Sequence, residues 1–254
     1  MLGFALAVFM GFTLGLLGGG GGILTVPILV FAFGLPAGQA TGASLLIVGI
    51  AASIGAVREA LRKNLNFRAG IALAVPAMAG SFAARAWIVP ALPETIRLGI
   101  IEIGRDRLLL TLFALVMWIV AWRMIAPMTE TRTATLHSAV IPILGLTIGV
   151  LSGILGAGGG FLIVPALVLA AGMEAKAAAA TSLLVIALQS LVGYAAEIGK
   201  PLPTEPVMLV LAGSVAGMLA GLALRSKMPS DQMKTGFAWF IIVVGIWTLA
   251  KVWL

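Results

Sequence analysis

The sequence predicts an all-α polytopic membrane protein made of two inverted repeats, each a Gly-tipped broken hairpin followed by three transmembrane helices. Three observations carry this expectation. The 254 residues are 61% hydrophobic and only 10% charged, whereas a soluble domain carries roughly 25% charge. Apolar runs long enough to cross a bilayer recur along the whole length. A glycine-rich break also interrupts an apolar segment twice in the same context, and the loops flanking equivalent segments carry opposite charge bias.

The repeat is read by setting Gly11–Gly55 over Gly149–Gly193. "GFTLGLLGGGGGILTVPILVFAFGLPAGQATGASLL" lies over "GVLSGILGAGGGFLIVPALVLAAGMEAKAAAATSLL" without a gap. The offset is constant: 165 − 27 = 138 for the prolines and 172 − 34 = 138 for the glycines. Matched proline, serine and valine rule out low complexity, so the chain is two copies of one design. Residues 1–125 form the first repeat, 126–138 a polar linker and 139–254 the second. Each half begins with a short apolar segment (about 2–17, and 139–155) that runs into the glycines, and a second (23–33, and 161–171) leaves them. Full spans follow near 39–58 and 177–196, 70–90 and 207–224, and 108–125 and 237–254.

Sidedness is read from the loops. After the third segment, half one carries Arg58, Glu59, Arg62, Lys63 and Arg68, whereas half two carries Glu197, Lys200 and Glu205. In the next loop the bias reverses, with Arg85, Glu94 and Arg97 against Arg225, Lys227, Asp231 and Lys234. Basic loops stay cytoplasmic, so equivalent loops are expected on opposite faces, the mark of inverted repeats. The plasma (inner) membrane is the expected location, with multiple passes. No signal peptide is expected, because the first segment lacks a basic start and a cleavage site and recurs mid-chain.

Several classes are excluded. Without cysteine there is no disulfide, thiolate metal site or cysteine nucleophile. His137 is the only histidine and falls in the linker. Enzyme chemistry and metal binding need clustered His, Asp, Glu or Cys, and none is evident, so neither catalysis nor a metal or other cofactor is expected. The glycines do not form a phosphate loop, since no G-x-x-x-x-G-K-[ST] is present. The net charge of +7 belongs to orienting loops rather than to nucleic-acid binding. The expected partners are a small anionic substrate and the lipid bilayer; a homo-oligomer is left open.

The stretches "GLLGGGGGILTVPILVFAFG" with "ASLL", and "GILGAGGGFLIVPALVLAAG" with "TSLL", resemble the two repeat signatures of the sulfite exporter TauE/SafE family. The resemblance covers essentially the whole chain. Half one departs in having Ala43-Ser44 where half two has Thr181-Ser182, and in extra residues around "EIGRDR" (Glu102–Arg107). The resemblance implies a bacterial-type permease with sulfite and organosulfonates as substrates.

The residues suggest how an anion is held. A break at membrane depth is tolerated only where protein buries it or it lines a cavity. The helix leaving each break offers free N–H groups and about half a positive charge, which binds anions without a charged side chain. Candidate binding residues are therefore Gly19, Gly20, Gly21, Gly22 and Ile23 in half one, and Gly158, Gly159, Gly160 and Phe161 in half two. Ser44, Thr181 and Ser182 join them as hydroxyl donors, while Thr41, Gln39, Gln189 and Ser190 lie nearby. The plainer explanation of the tips is close helix packing, which also suits the four-spaced Gly213, Gly217 and Gly221. Val26-Pro27 and Val164-Pro165 are read as structural. Arg85 is expected to snorkel to the interface, and Glu102, Arg105, Asp106 and Arg107 to form an interfacial helix or loop.

No carboxylate or histidine is expected deep in a span. An anion leaving a cell gains about 2.3 kcal/mol per charge per 100 mV, roughly a fifty-fold gradient, so export needs no proton relay. The sequence thus favours export of small sulfur-containing anions by alternating access. The alternatives are transport of another small anion or carboxylate, and a non-transporting membrane component.

Overall fold

The computed structural model describes residues 2–93, 95–98, 101–104, 140–156, 158–169 and 171–253, together with 107, 108, 111, 114, 115, 118, 119 and 122. The linker with His137, most of the span near 108–125, and Arg105 and Asp106 lie outside the described residues. Helix α1 is Leu2–Leu17, α2 Gly20–Pro27, α3 Ala37–Leu61 and α4 Phe67–Ala91, and the second half repeats them as α5 Val140–Leu155, α6 Gly160–Leu169, α7 Ala175–Ala195 and α8 Thr204–Arg225, followed by α9 Ser230–Trp253. Four of these, α3, α4, α7 and α8, are long and apolar enough to cross a membrane, while α1, α5 and the segment Gly21–Ala32 are shorter apolar helices. Large apolar side chains such as Phe9, Leu61, Val75, Trp87, Ile143 and Trp239 stand outward, as expected where lipid rather than water is the solvent.

The break is narrower than the run of glycines suggests. Only Gly18 and Gly19 leave the helix in half one, and α2 resumes at Gly20. Three of the five glycines are thus helical, because packing against α1 supplies what their poor propensity lacks. Gly18 and Gly156 are the matched residues (156 − 18 = 138) that turn the chain out of α1 and α5, at φ +76 and +67. Each end is closed by its own amide, Gly18 N–H donating to Leu14 and Gly156 N–H to Ser152, in the manner of a left-handed helix cap. Pro27 removes one helical donor, and beyond it α2 continues as a π-helical turn, Ile28–Ala32. Another such turn, Ala84–Ile88, interrupts α4.

The halves clasp each other reciprocally. Helix α1 packs along α8, and α5 along α4, while α3 and α7 pack on each other in the centre. The close approaches exchange under the repeat. A Cβ on Gly11 would strike the Ser214 carbonyl, and one on Gly149 that of Ala77; one on Gly217 would strike Val8, and one on Gly80 Leu146. The offsets are 149 − 11 = 138, 214 − 77 = 137, 217 − 80 = 137 and 146 − 8 = 138. Glycine stripes here bring backbones into contact, as small residues do between membrane helices. Gly213, Gly217 and Gly221 all lie against α1.

Among the described residues, one element departs from an all-α chain. Thr95–Leu98 and Ile101–Gly104 pair as an antiparallel hairpin, β1 and β2, with Ile96 opposite Ile103. This replaces the interfacial helix or loop expected at Glu102: the extra residues are rich in β-branched isoleucine, which favours strands. Arg107, beyond the hairpin, lies 5.5 Å over the Trp253 ring of α9.

Gly217→Leu is expected to destabilise the fold by about 1–3 kcal/mol through overpacking on Val8 and Phe12. Gly236→Ala on α9, where a Cβ meets nothing within 4 Å, gains roughly 0.5–1 kcal/mol in helix propensity. Thermal unfolding in detergent checks both signs.

Candidate functional site

The two breaks meet inside the molecule. A Cβ on Gly19 would strike the backbone of Gly160, and one on Gly160 that of Gly19. The start of α2 therefore abuts the start of α6, at N-termini where partial positive charge collects. Gly19 caps α2 with no side-chain acceptor. Ile23 and Phe161 are fully buried and join Leu17, Leu155 and Val164 in an apolar plug behind the tips.

The serines take different places. Ser182 is fully buried and donates to the Gly18 carbonyl, so it ties α7 to the first tip. Its repeat partner Ser44 is equally buried and its hydroxyl has no partner; it lies one turn beyond Thr41, which packs on Gly156. Thr181 is not brought to the tips: its hydroxyl accepts the Asn66 N–H at 3.1 Å where α4 begins. Gly21 lies against Met10 and Leu14 of α1, a close-packing position.

Around the second tip the polar groups concentrate. Gly158 and Gly159 both have φ +64. Gln189 Nε2 donates to the Gly158 carbonyl at 2.6 Å and to Ser152 Oγ at 3.3 Å. Gln189 Oε1 and the hydroxyls of Ser190 and Ser81 are buried without partners. Ser190 Oγ stands 3.3 Å from where a Gly158 Cβ would be, and Ser81 lies against Gly193 and Gly153. The first tip has apolar residues at the corresponding positions. Ser152 matches Leu14, Gln189 matches Ala51 and Ser190 matches Ala52, all at offset 138, and Ser81 faces the place that Met218 takes (218 − 81 = 137). Ser81 and Ser152 escaped the sequence reading, since serine in an apolar helix most often bonds back to its own backbone. Their contrast with Met218 and Leu14 was the available signal.

Arg85 corrects a sequence expectation. It does not snorkel: it is 1% exposed, with Nη1 3.4 Å from Oε1 of Glu197. Glu197 in turn holds Lys200 at 3.1 Å. The partner arrangement lies at the other end of the helices, where Arg225 Nη2 meets Glu59 Oε2 at 2.8 Å and Asn64 donates to the same oxygen. The carboxylates match across the repeat (197 − 59 = 138), and the arginines lie one turn off register (225 − 85 = 140). Two carboxylates are thus buried at span ends, where the charge count of a loop cannot reveal them. The excursion of α4 into a π turn at Arg85 shows why spacing alone did not find its partner.

Each pair lines a cavity. One of about 460 Å³ is bounded by Glu59, Arg62, Asn64, Lys176 and Arg225. The other, about 400 Å³, is bounded by Gly38, Gln39, Arg85, Glu197 and Lys200. The first lies at the C-terminal end of α3 and the N-terminal end of α7, the second at their opposite ends. From Gln39 to Glu59 along α3 is about 30 Å at helical rise. Among the described residues no group of three or more His, Cys, Asp or Glu could hold a metal.

Apolar spans, two broken hairpins buried tip to tip and a cavity at either end of the central helices define a membrane transporter. Comparison with known proteins makes the assignment specific. The family profile of the sulfite exporter TauE/SafE matches residues 3–248, and the chain belongs to that family. It is 28% identical to a probable membrane transporter protein of Xylella fastidiosa, over 96% of this chain and 92% of that one. A probable membrane transporter protein of Methanocaldococcus jannaschii is 28% identical over 96% and 94%, and one of Bacillus subtilis 28% over 89% and 90%. No solved structure matches the chain significantly.

Breaking one buried pair is expected to cost about 3–5 kcal/mol, because the remaining charge is left uncompensated. Arg225→Met alone therefore lowers the unfolding temperature sharply. Replacing both members, Glu59→Met with Arg225→Met, restores most of the loss, which thermal unfolding of the purified protein measures.

Proposed function

We propose that the protein is a multi-pass permease of the plasma (inner) membrane that exports small sulfur-containing anions, of the sulfite or organosulfonate type, by alternating access between two inverted halves. The observation that carries this reading is the buried meeting of the two tips beside fully buried, unpartnered polar atoms of Ser44, Ser81, Gln189 and Ser190. An unsatisfied buried polar group costs about 1–3 kcal/mol, and several retained together signal a ligand that satisfies them. Hydroxyl, amide and backbone N–H donors in a dry site suit an oxyanion. Family membership supports the sulfite class.

Inversion is supported by the cavities. Residues matched by the repeat, Glu59 and Glu197 or Arg62 and Lys200, line cavities at opposite ends of α3 and α7. With α3 across the membrane, equivalent residues then face opposite sides, as in other inverted-repeat transporters. Single cysteines at Asn64 and Lys200 should be labelled by an impermeant maleimide from opposite sides; labelling from one side refutes inversion.

Flux from proteoliposomes tests substrate and site. Sulfite and organosulfonates should move down an imposed potential, and a panel that moves carboxylates but not sulfite would transfer the assignment to carboxylates. Ser44→Ala and Ser190→Ala should each raise stability by up to about 1 kcal/mol, by removing an unmet hydroxyl, while reducing flux. Gly159→Leu, whose side chain would fill the space before Gln189 and Ser152, should abolish flux without preventing insertion. Unchanged flux in all three variants would reduce the tips to packing elements.

A further inference from the structure

The two end cavities carry chemistry that the tip site leaves unused. In each, the carboxylate of the buried pair already has a further partner: Lys200 on Glu197 and Asn64 on Glu59. The guanidinium is left short instead. Arg85 uses one nitrogen in a loose 3.4 Å contact, and its Nε and Nη2 have no acceptor. Arg225 likewise has no acceptor at Nη1. Both arginines are almost wholly buried, at 1% and 4% exposure, and both line a cavity. Arginine carries five donors in a fixed fork that matches an oxyanion bidentately. A pair built only to hold helices together would spend that fork on its carboxylate. Here the open edge is left beside a cavity of about 400 or 460 Å³, with Lys200 in the lining of the first and Arg62 and Lys176, against the carboxylate Glu174, in that of the second.

We infer that each end cavity is a docking site for a small oxyanion, held on the open edge of Arg85 in one and of Arg225 in the other. The inference rests on the anion-permease reading and extends it: the anion has a matched station at each mouth as well as one at the tips. Binding there supplies the acceptors the arginines lack. The shared ligand chemistry is a tetrahedral or pyramidal oxyanion, whether free in solution or the phosphate of a lipid headgroup, and the free ion is the occupant proposed.

The test is titration of inorganic sulfate into the full chain in neutral detergent, read by calorimetry. Double variants avoid the lone buried charge that would unfold a single one. Arg85→Met/Glu197→Met and Glu59→Met/Arg225→Met should each weaken sulfate binding at their own cavity roughly tenfold or more, so that each loses one station and the combination of all four loses both. Tip variants such as Ser190→Ala should leave these stations intact. Sulfate binding that is absent from the wild type, or unchanged in both double variants, overturns the inference. Nanodiscs separate the two sources: equal sulfate affinity in phosphatidylcholine and phosphatidylglycerol supports the free ion, and its loss in phosphatidylglycerol assigns the cavities to lipid and overturns the substrate station. Sulfite flux measured in parallel keeps the two readings apart. Arginine-dependent binding without flux sinks the permease and leaves the stations standing.

Discussion

Backbone groups freed inside a membrane must be met by protein, since hydrocarbon offers no donor or acceptor. Everything else in this fold follows from where the chain breaks that rule. At Gly18–Gly19, and at Gly156, Gly158 and Gly159, the helix stops inside the apolar segments, where a break that faced lipid would be left unsatisfied. Each half covers the other's break: the first break abuts Gly160 and Ala179 of the second half, and Gly156 packs on Thr41 of the first. The reciprocal clasp of α1 with α8 and α5 with α4 holds those contacts in place.

A duplicated scaffold supplies geometry, and divergence between its copies supplies chemistry. The tips, the positive-φ pair Gly18 and Gly156 and the helix stripes are common to both halves, because backbone satisfaction imposes the same demand on each. The polar groups are not. Ser152, Gln189, Ser190 and Ser81 gather at the second tip, while Leu14, Ala51, Ala52 and Met218 occupy the corresponding places at the first. For the anion proposed to lie at the tips, one polar wall is enough, and an apolar opposite wall would keep the site dry, which strengthens each hydrogen bond made there.

Legibility in the sequence tracked this division. Repeat, proline context and glycine stripes were readable because each is a local pattern with a steric cause. The true width of the break was not: five successive glycines look non-helical, and only the tertiary contact of Gly21 with Met10 and Leu14 shows why the helix restarts at Gly20. The ion pairs were not readable either. Arg85 near the end of a span has the same local sequence whether it reaches for water or for Glu197, and the two residues are far apart along the chain. The serines at the tips were half legible: Ser44 and Ser182 stood out by matching, but the matching pair does not share one role, since Ser182 closes the first tip and Ser44 stays unpartnered.

The buried carboxylates sharpen the energetic argument for export. Glu59 and Glu197 are held by Arg225 and Arg85, so each buried carboxylate at a span end is neutralised by its arginine. If the halves move past one another as proposed, they carry the substrate's charge and little else across the field. On the proposed reading the cycle is electrogenic in the sense set by the anion, and a negative cell interior would drive that anion outward at about 2.3 kcal/mol per charge per 100 mV. A free carboxylate in the same place would travel with the substrate or need a proton to cross. Pairing each one with arginine fixes its charge, leaves the membrane potential as the driving force on the proposed reading, and leaves at either mouth a buried arginine edge beside the cations Arg62 and Lys176 or Lys200 of the cavity lining.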